Sequence, residues 1–274
     1  MRRLGQHFLQ KISATETMIN ALKIGASEII IEIGPGLGAL TVPLQKECLK
    51  KGCTLITIER DSILADQLAA KHPALRVIQG DAVKIIPQIL ENNQESDFLN
   101  SQSSSPKIKI IGNIPYYITG SILRILSNLN PRPEKTVIMI QKEVAERIVA
   151  EPPQMNLLAA ATQHWATVQI LETLSPEDFS PPPKVSSAII SLQAKPRTPL
   201  EADQNYYRLI KITFRQPRKT VLNNLKSAFG AENEEKLKKI LKTQGLSGLE
   251  RPQNLNLEIL TALSTCVAHM RIIE

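Results

Sequence analysis

At 274 residues and 42% apolar content, the chain is long enough for one large domain, or one large and one small, and too apolar to be disordered. Lys and Arg outnumber Asp and Glu by 33 to 26, giving a net charge of +7 and a pI near 9.3, which suits a polyanionic partner as well as a merely basic surface. No apolar run nears the roughly 20 residues of a membrane span, the basic start MRRLGQHFLQK lacks the apolar core of a signal peptide, and Cys48, Cys53 and Cys266 form no CxxC pair; these features point away from a membrane protein, a disulfide scaffold and a metal site, and a reducing cytoplasm is the expected location.

Between residues 27 and 192, short Ile/Val-rich runs alternate with helical stretches. The runs Ile29–Ile33, Thr54–Ile58, Arg76–Ile78, Ile108–Ile111, Thr136–Ile140, Gln169–Leu174 and Ser187–Leu192 read as strands covered on both faces, because their apolar residues are continuous rather than alternating. Ser62–Lys71 and Ser121–Leu129 read as amphipathic helices. The alternation predicts an α/β fold, a doubly wound, mostly parallel seven-stranded sheet, and the last two strands suggest an antiparallel hairpin at one edge. Glu91–Ser105 is rich in Ser, Asn and Gln and reads as a long surface loop. Beyond the linker Ala194–Leu200 the β signal ends and apolar residues recur at helical spacing. The expected division is therefore a catalytic domain of residues 1–194 and a small all-helical domain of residues 195–274.

The first strand runs into Glu32-Ile33-Gly34-Pro35-Gly36-Leu37-Gly38. Glycines after a strand let the backbone turn tightly and approach a ligand. The G-x-G-x-G spacing is not the G-x-G-x-x-G of dinucleotide folds, so it favours a ligand without a pyrophosphate, and S-adenosylmethionine is the common one. Glu59 ends the second strand, where a carboxylate can accept ribose hydroxyls. Asp81 follows the third, where it can accept from an adenine amino group. Either acid alone reads more readily as a helix cap or a solvated turn residue; with the glycine turn they form an ordered series of cofactor positions along the carboxyl edge of the sheet, which reverses that reading.

The fourth strand ends in Asn113-Ile114-Pro115-Tyr116, the most specific feature of the chain. An adenine amino nitrogen is a poor nucleophile because its lone pair is delocalised into the ring. Acceptors aimed at both amino hydrogens, the Asn113 side-chain oxygen and the Ile114 carbonyl, favour pyramidal nitrogen and free that pair for attack on a sulfonium methyl. Pro115 stiffens the turn and Tyr116 offers a stacking face to an extruded base.

On these residues the sequence resembles the ribosomal RNA adenine dimethyltransferase family over essentially its whole length. The resemblance implies a class I, Rossmann-like, S-adenosylmethionine-dependent enzyme without a metal. It further implies dimethylation of N6 in two adjacent adenines of the loop in the 3′-terminal hairpin of small-subunit (16S) rRNA, in a late particle. Leu4-Gly5-Gln6-His7-Phe8-Leu9 matches the family's segment over the cofactor and implies contacts from His7 and Leu9. Gly34, Gly36, Glu59, Asp81 and Asn113 match its other cofactor positions. Asp178-Phe179-Ser180-Pro181-Pro182-Pro183-Lys184-Val185 matches its Pro-rich loop, whose Phe stacks on the target base opposite Tyr116. Phe214–Leu225 resembles a basic helix and makes Arg215, Arg218, Lys219 and Lys226 the RNA-binding candidates, with a solvated helix face as the alternative. The insertion before the catalytic strand, and Glu151-Pro152-Pro153-Gln154-Met155 in place of a glycine-containing loop, depart from the family pattern. A monomer working on the small ribosomal subunit is expected. A dinucleotide oxidoreductase does not explain Asn-Ile-Pro-Tyr. A non-enzymatic assembly clamp does not need Asn113, Tyr116 and Phe179, and the related macrolide-resistance enzymes act on large-subunit RNA.

Overall fold

The computed structural model describes residues 7–91 and 107–272. The expected loop through Ser105 and the segment Leu4–Gln6 lie outside the described residues. Among the described residues nine strands are formed: β1 (Phe8–Leu9), β2 (Ile29–Ile33), β3 (Thr54–Glu59), β4 (Arg76–Gln79), β5 (Ile108–Asn113), β6 (Lys135–Gln141), β7 (Ala166–Leu174), β8 (Phe179–Ser180) and β9 (Ser187–Ala194). Seven make one sheet in the order β4-β3-β2-β5-β6-β9-β7. Its first five strands run parallel, and β9 pairs antiparallel with β6.

Continuous apolar runs place their strands where both faces are covered. Every residue of β2 is buried, as are the five central residues of β6 and the first five of β5. β7 lies at the edge, as suggested for the closing pair of strands, but differs from expectation in its burial: most of its residues are partly or fully exposed, and only its two ends are buried. Its sequence, ATVQILETL, has the polar content of an edge and not of a covered strand.

Strand order reverses between β2 and β5, because the chain winds outward through β3 and β4 before returning to β2's other side. Such a switch point leaves a crevice outside the strand ends. β2 and β5 approach closely there: Ile33 is in register with Gly112, and a Cβ on Gly112 would lie 2.3 Å from the Ile33 carbonyl oxygen. Only glycine fits that position.

The chain divides into two units, residues 1–145 with 167–194, and residues 146–166 with 195–274. The boundary expected at Ala194 is thus incomplete, because the segment 146–166 packs with the later residues. Its Met155, Ala159 and Ala160 share a buried cluster with Tyr206, Leu209, Val221, Leu225, Phe229 and Leu260. The cause is local: Asn156 caps helix Leu157–Trp165 by accepting from Leu158 N and Ala159 N, and the Tyr206 hydroxyl donates to Ala160 O at 3.0 Å. Among the described residues no helix is long and apolar enough to cross a membrane.

Candidate active site

β2 ends in a backbone that no ordinary side chain would favour. Gly34, Gly36 and Gly38 have φ of +68°, +54° and +89°. Gly34 N–H donates to the Ile58 carbonyl at 3.0 Å, and Gly36 N–H to Glu59 Oε2 at 3.1 Å, so the turn is fastened to the end of β3. Glu59 is buried, and its other oxygen accepts from Asp61 N at 2.9 Å. A carboxylate has about four lone-pair sites; two backbone donors leave capacity for a ligand's hydroxyls.

β1 closes this turn from above. It pairs antiparallel with β8, Phe8 opposite Ser180 and Leu9 opposite Phe179. Gln10 N donates to Asp178 O at 2.8 Å, and His7 Nδ1 sits 2.7 Å from Pro181 O. The N-terminal segment and the Pro-rich loop, 170 residues apart in sequence, therefore form a single strap. Phe179 is 4% exposed within it, where a lone Phe in a Pro-rich loop would be expected at the surface.

Beneath the strap lies a cavity of about 590 Å³. Its walls bring together His7, Leu9, Gly34, Gly36, Glu59, Asn113, Ile114, Pro115, Tyr116 and Phe179, all of them singled out in the sequence. Asn113 Nδ2 donates to His7 O at 3.3 Å, which orients the amide; among the described residues its Oδ1 accepts no hydrogen bond. Tyr116 begins a single 3₁₀ turn after Pro115, and its hydroxyl is 2.7 Å from Ser187 Oγ on β9. Ser187 is fully buried and was missed in the sequence, where nothing in the start of an apolar strand marks it.

Asp81 is the exception. It is not among the cavity-lining residues, and its Oδ1 accepts from Val83 N at 2.9 Å, the cap of helix Ala82–Glu91. Glu32 was missed as a buried acid. It is 1% exposed, Thr41 Oγ1 donates to its Oε1 at 3.0 Å, and among the described residues its Oε2 has no partner. Burial raises its carboxyl to about 8, against the lowering by Thr41, so it holds its proton near neutrality.

The four cationic candidates also come out unequally. Phe214–Leu225 is not one helix: Leu200–Thr213 ends, residues 215–220 form a turn, and Val221–Phe229 follows. Arg215, Arg218 and Lys219 are exposed on that turn, whereas Lys226 is ion-paired with Glu234. Asn224, 4% exposed, holds the turn. Its Nδ2 donates to the carbonyls of Gln216 and Thr220, both at 3.1 Å, and its Oδ1 accepts from Gln216 N at 3.1 Å.

The cavity fits S-adenosylmethionine by its shape and chemistry. Bare glycine backbone forms one wall, where a Cβ on Gly36 would come within 3.1 Å of Phe8 Cε1. A buried carboxylate with spare acceptor sites stands at its edge, and Leu9, Ile12, Met18 and Leu37 give it an apolar lining. Comparison with known proteins agrees. The family model for ribosomal RNA adenine dimethylase matches residues 1–262. A Koribacter versatilis protein named ribosomal RNA small subunit methyltransferase A is 34% identical over 266 residues, covering 93% of this chain and 90% of its own. A Clostridium botulinum protein of the same name is 32% identical over 274 residues, covering 97% and 93%. A crystal structure of a dimethyladenosine transferase from Plasmodium falciparum superposes with a TM-score of 0.72 at 25% identity, covering 94% of this chain and 96% of that one. The 23S rRNA methyltransferase ErmE shares the fold, with a TM-score of 0.71 at 20% identity over 94% and 98%. With the model spanning nearly the whole chain and these motifs in one cavity, the chain belongs to the ribosomal RNA adenine dimethylase family and is an S-adenosylmethionine-dependent rRNA adenine dimethyltransferase.

Proposed function

We propose that the enzyme dimethylates N6 of two adjacent adenines in the loop of the 3′-terminal hairpin of 16S rRNA, acting on a late small-subunit particle in the cytoplasm. The observation that carries the adenine chemistry is the junction of β2 and β5, where the glycine turn and Asn113 share one cavity with Tyr116 and Phe179. The small-subunit assignment draws its support from relatives that carry that name and align over more than nine-tenths of this chain.

Gly34, Gly36 and Glu59 would hold S-adenosylmethionine, with His7 and Leu9 above it. The cofactor supplies an electrophilic sulfonium methyl. Asn113 Oδ1 and the Ile114 carbonyl accept the two amino hydrogens of the adenine, which favours pyramidal nitrogen and exposes its lone pair. Pro115 keeps those two acceptors in a fixed relation, with its φ of −56° set by the ring. Tyr116, tied to Ser187, and Phe179, tied into the strap, hold the extruded base on aromatic faces. Asp81 caps its helix and lies outside the cavity lining, so it joins the cofactor set only through the base of the bound nucleoside. Arg215, Arg218 and Lys219 dock RNA phosphate from the second unit.

Mass-spectrometric mapping of N6,N6-dimethyladenosine in both ribosomal subunits, from cells with and without this gene, tests the assignment. Loss of the mark from the 3′ hairpin of small-subunit RNA is expected. Loss confined to large-subunit RNA overturns it.

A further inference from the structure

Two side chains just outside the cavity are not used by the chemistry above. Tyr117 is 58% exposed and is the only exposed aromatic among the described residues. Arg60 is exposed beside it, and its Nη1 donates to the Tyr117 hydroxyl at 3.1 Å. Each follows a cavity-lining residue directly: Tyr117 follows Tyr116, and Arg60 follows Glu59. The pair thus bridges the carboxyl ends of β5 and β3 across the rim. Most of the residue is left in solvent, and Tyr117 belongs to neither the cluster around Tyr206 nor the one around Met18. Among the described residues Arg60 has no carboxylate within ion-pair distance, and the adjacent Asp61 is engaged in capping Ile63 N and Leu64 N. A guanidinium has five N–H donors; one anchors the phenol and the rest face solvent or a ligand.

We infer that Tyr117 and Arg60 form a second RNA subsite at the cavity mouth, taking the nucleotide next to the target adenine: its base stacks on the Tyr117 ring and its phosphate pairs with the Arg60 guanidinium. An adenine drawn into the cavity leaves its covalent neighbours at the mouth, where an aromatic face and a cation are the two features single-stranded RNA binds without sequence readout. The hydrogen bond between them fixes the ring before RNA arrives, so less side-chain freedom is lost on binding. The subsite rests on the reading of Asn113–Tyr116 as the adenine-facing motif.

The test uses the full-length enzyme and ribosomal particles of both subunits from cells lacking adenine dimethylation, with N6,N6-dimethyladenosine counted by mass spectrometry. Tyr117→Ala is expected to lower kcat/KM about five-fold or more, chiefly through KM, whereas Tyr117→Phe, which keeps the ring, stays within about two-fold. Arg60→Gln is expected to flatten the dependence of log kcat/KM on log salt by about one unit, the mark of one lost phosphate contact. Calorimetric affinity for S-adenosylmethionine should be unchanged in all three. Wild-type kinetics and salt slope in Tyr117→Ala and Arg60→Gln overturn the subsite, as does cofactor affinity falling in step with turnover. If those variants are normal while Asn113→Ala is inactive, the subsite falls and the motif reading stands.

Discussion

Asn113 is held through its nitrogen and offers its oxygen, an arrangement that comes from the His7 carbonyl above it and not from its own strand. Replacing it with Ala removes an acceptor while leaving the cavity's walls in place. Asn113→Ala should lose at least about 2.7–4 kcal/mol of transition-state stabilisation, the range for deleting one preorganised polar group. Single-turnover rates at saturating cofactor measure this, and a near-wild-type rate would remove Asn113 from the chemistry. Glu32 makes a different prediction, about stability. Its carboxyl shifts from 4.5 in the unfolded chain to about 8 in the fold, with burial as the main cause. Between those values the native state keeps a proton that the unfolded chain has released, so stability falls as pH rises through that window. Glu32→Gln keeps an acceptor for Thr41 Oγ1 and cannot ionise. Its Tm relative to the parent should therefore climb from pH 5 to pH 8. Parallel Tm curves would mean that Glu32 is already neutralised by some other group.

The glycine turn and the strap are elements whose fit depends on each other. Gly36 has φ +54°, and a Cβ there would meet Phe8 Cε1 at 3.1 Å, so Gly36→Ala both strains the turn and pushes on β1. Left-handed backbone costs a non-glycine residue about 1–2 kcal/mol. Affinity for S-adenosylmethionine should drop roughly ten-fold, equivalent to about 1.4 kcal/mol. An unchanged dissociation constant by calorimetry would show that the turn does not shape the cofactor wall. The sequence made the turn legible because strand, glycines and helix are contiguous and each leaves a local signal. It made β2, β3, β5 and β6 legible for the same reason, since burial on both faces demands continuous apolar runs. The pairing of β1 with β8 was not legible: each strand has two residues, too few for periodicity, and their partnership spans 170 positions. Asp81 shows that a strong local pattern at a strand end can carry a second duty, since one of its oxygens also caps the following helix.

For the molecule as a whole, the helical spacing of apolar residues beyond the linker pointed to a small helical part but could not show that residues 146–166 belong with it. That membership depends on Met155, Ala159 and Ala160 meeting side chains more than 40 residues later, and no local signal encodes it. It also changes how the division of labour can be examined. Cutting after Ala194 would strip those buried residues of their partners and expose them to water, so the shortened chain should aggregate and report nothing about RNA. Charge reversal within the intact chain avoids this. Arg218 and Lys219 are exposed, while the turn that carries them is fixed by the buried Asn224 through main-chain groups that the substitutions leave alone. Arg218→Glu with Lys219→Glu should therefore keep the fold and the affinity for S-adenosylmethionine. It should lower kcat/KM on small-subunit particles and flatten its salt dependence by about two units, one for each lost phosphate contact. Lys226→Glu alone should do less to the salt slope than either, because Glu234 already neutralises that charge. Steady-state methylation across a salt series measures both effects. A folded double variant that matches the parent in rate and slope would show that this turn is a solvated surface and that phosphate is gripped elsewhere.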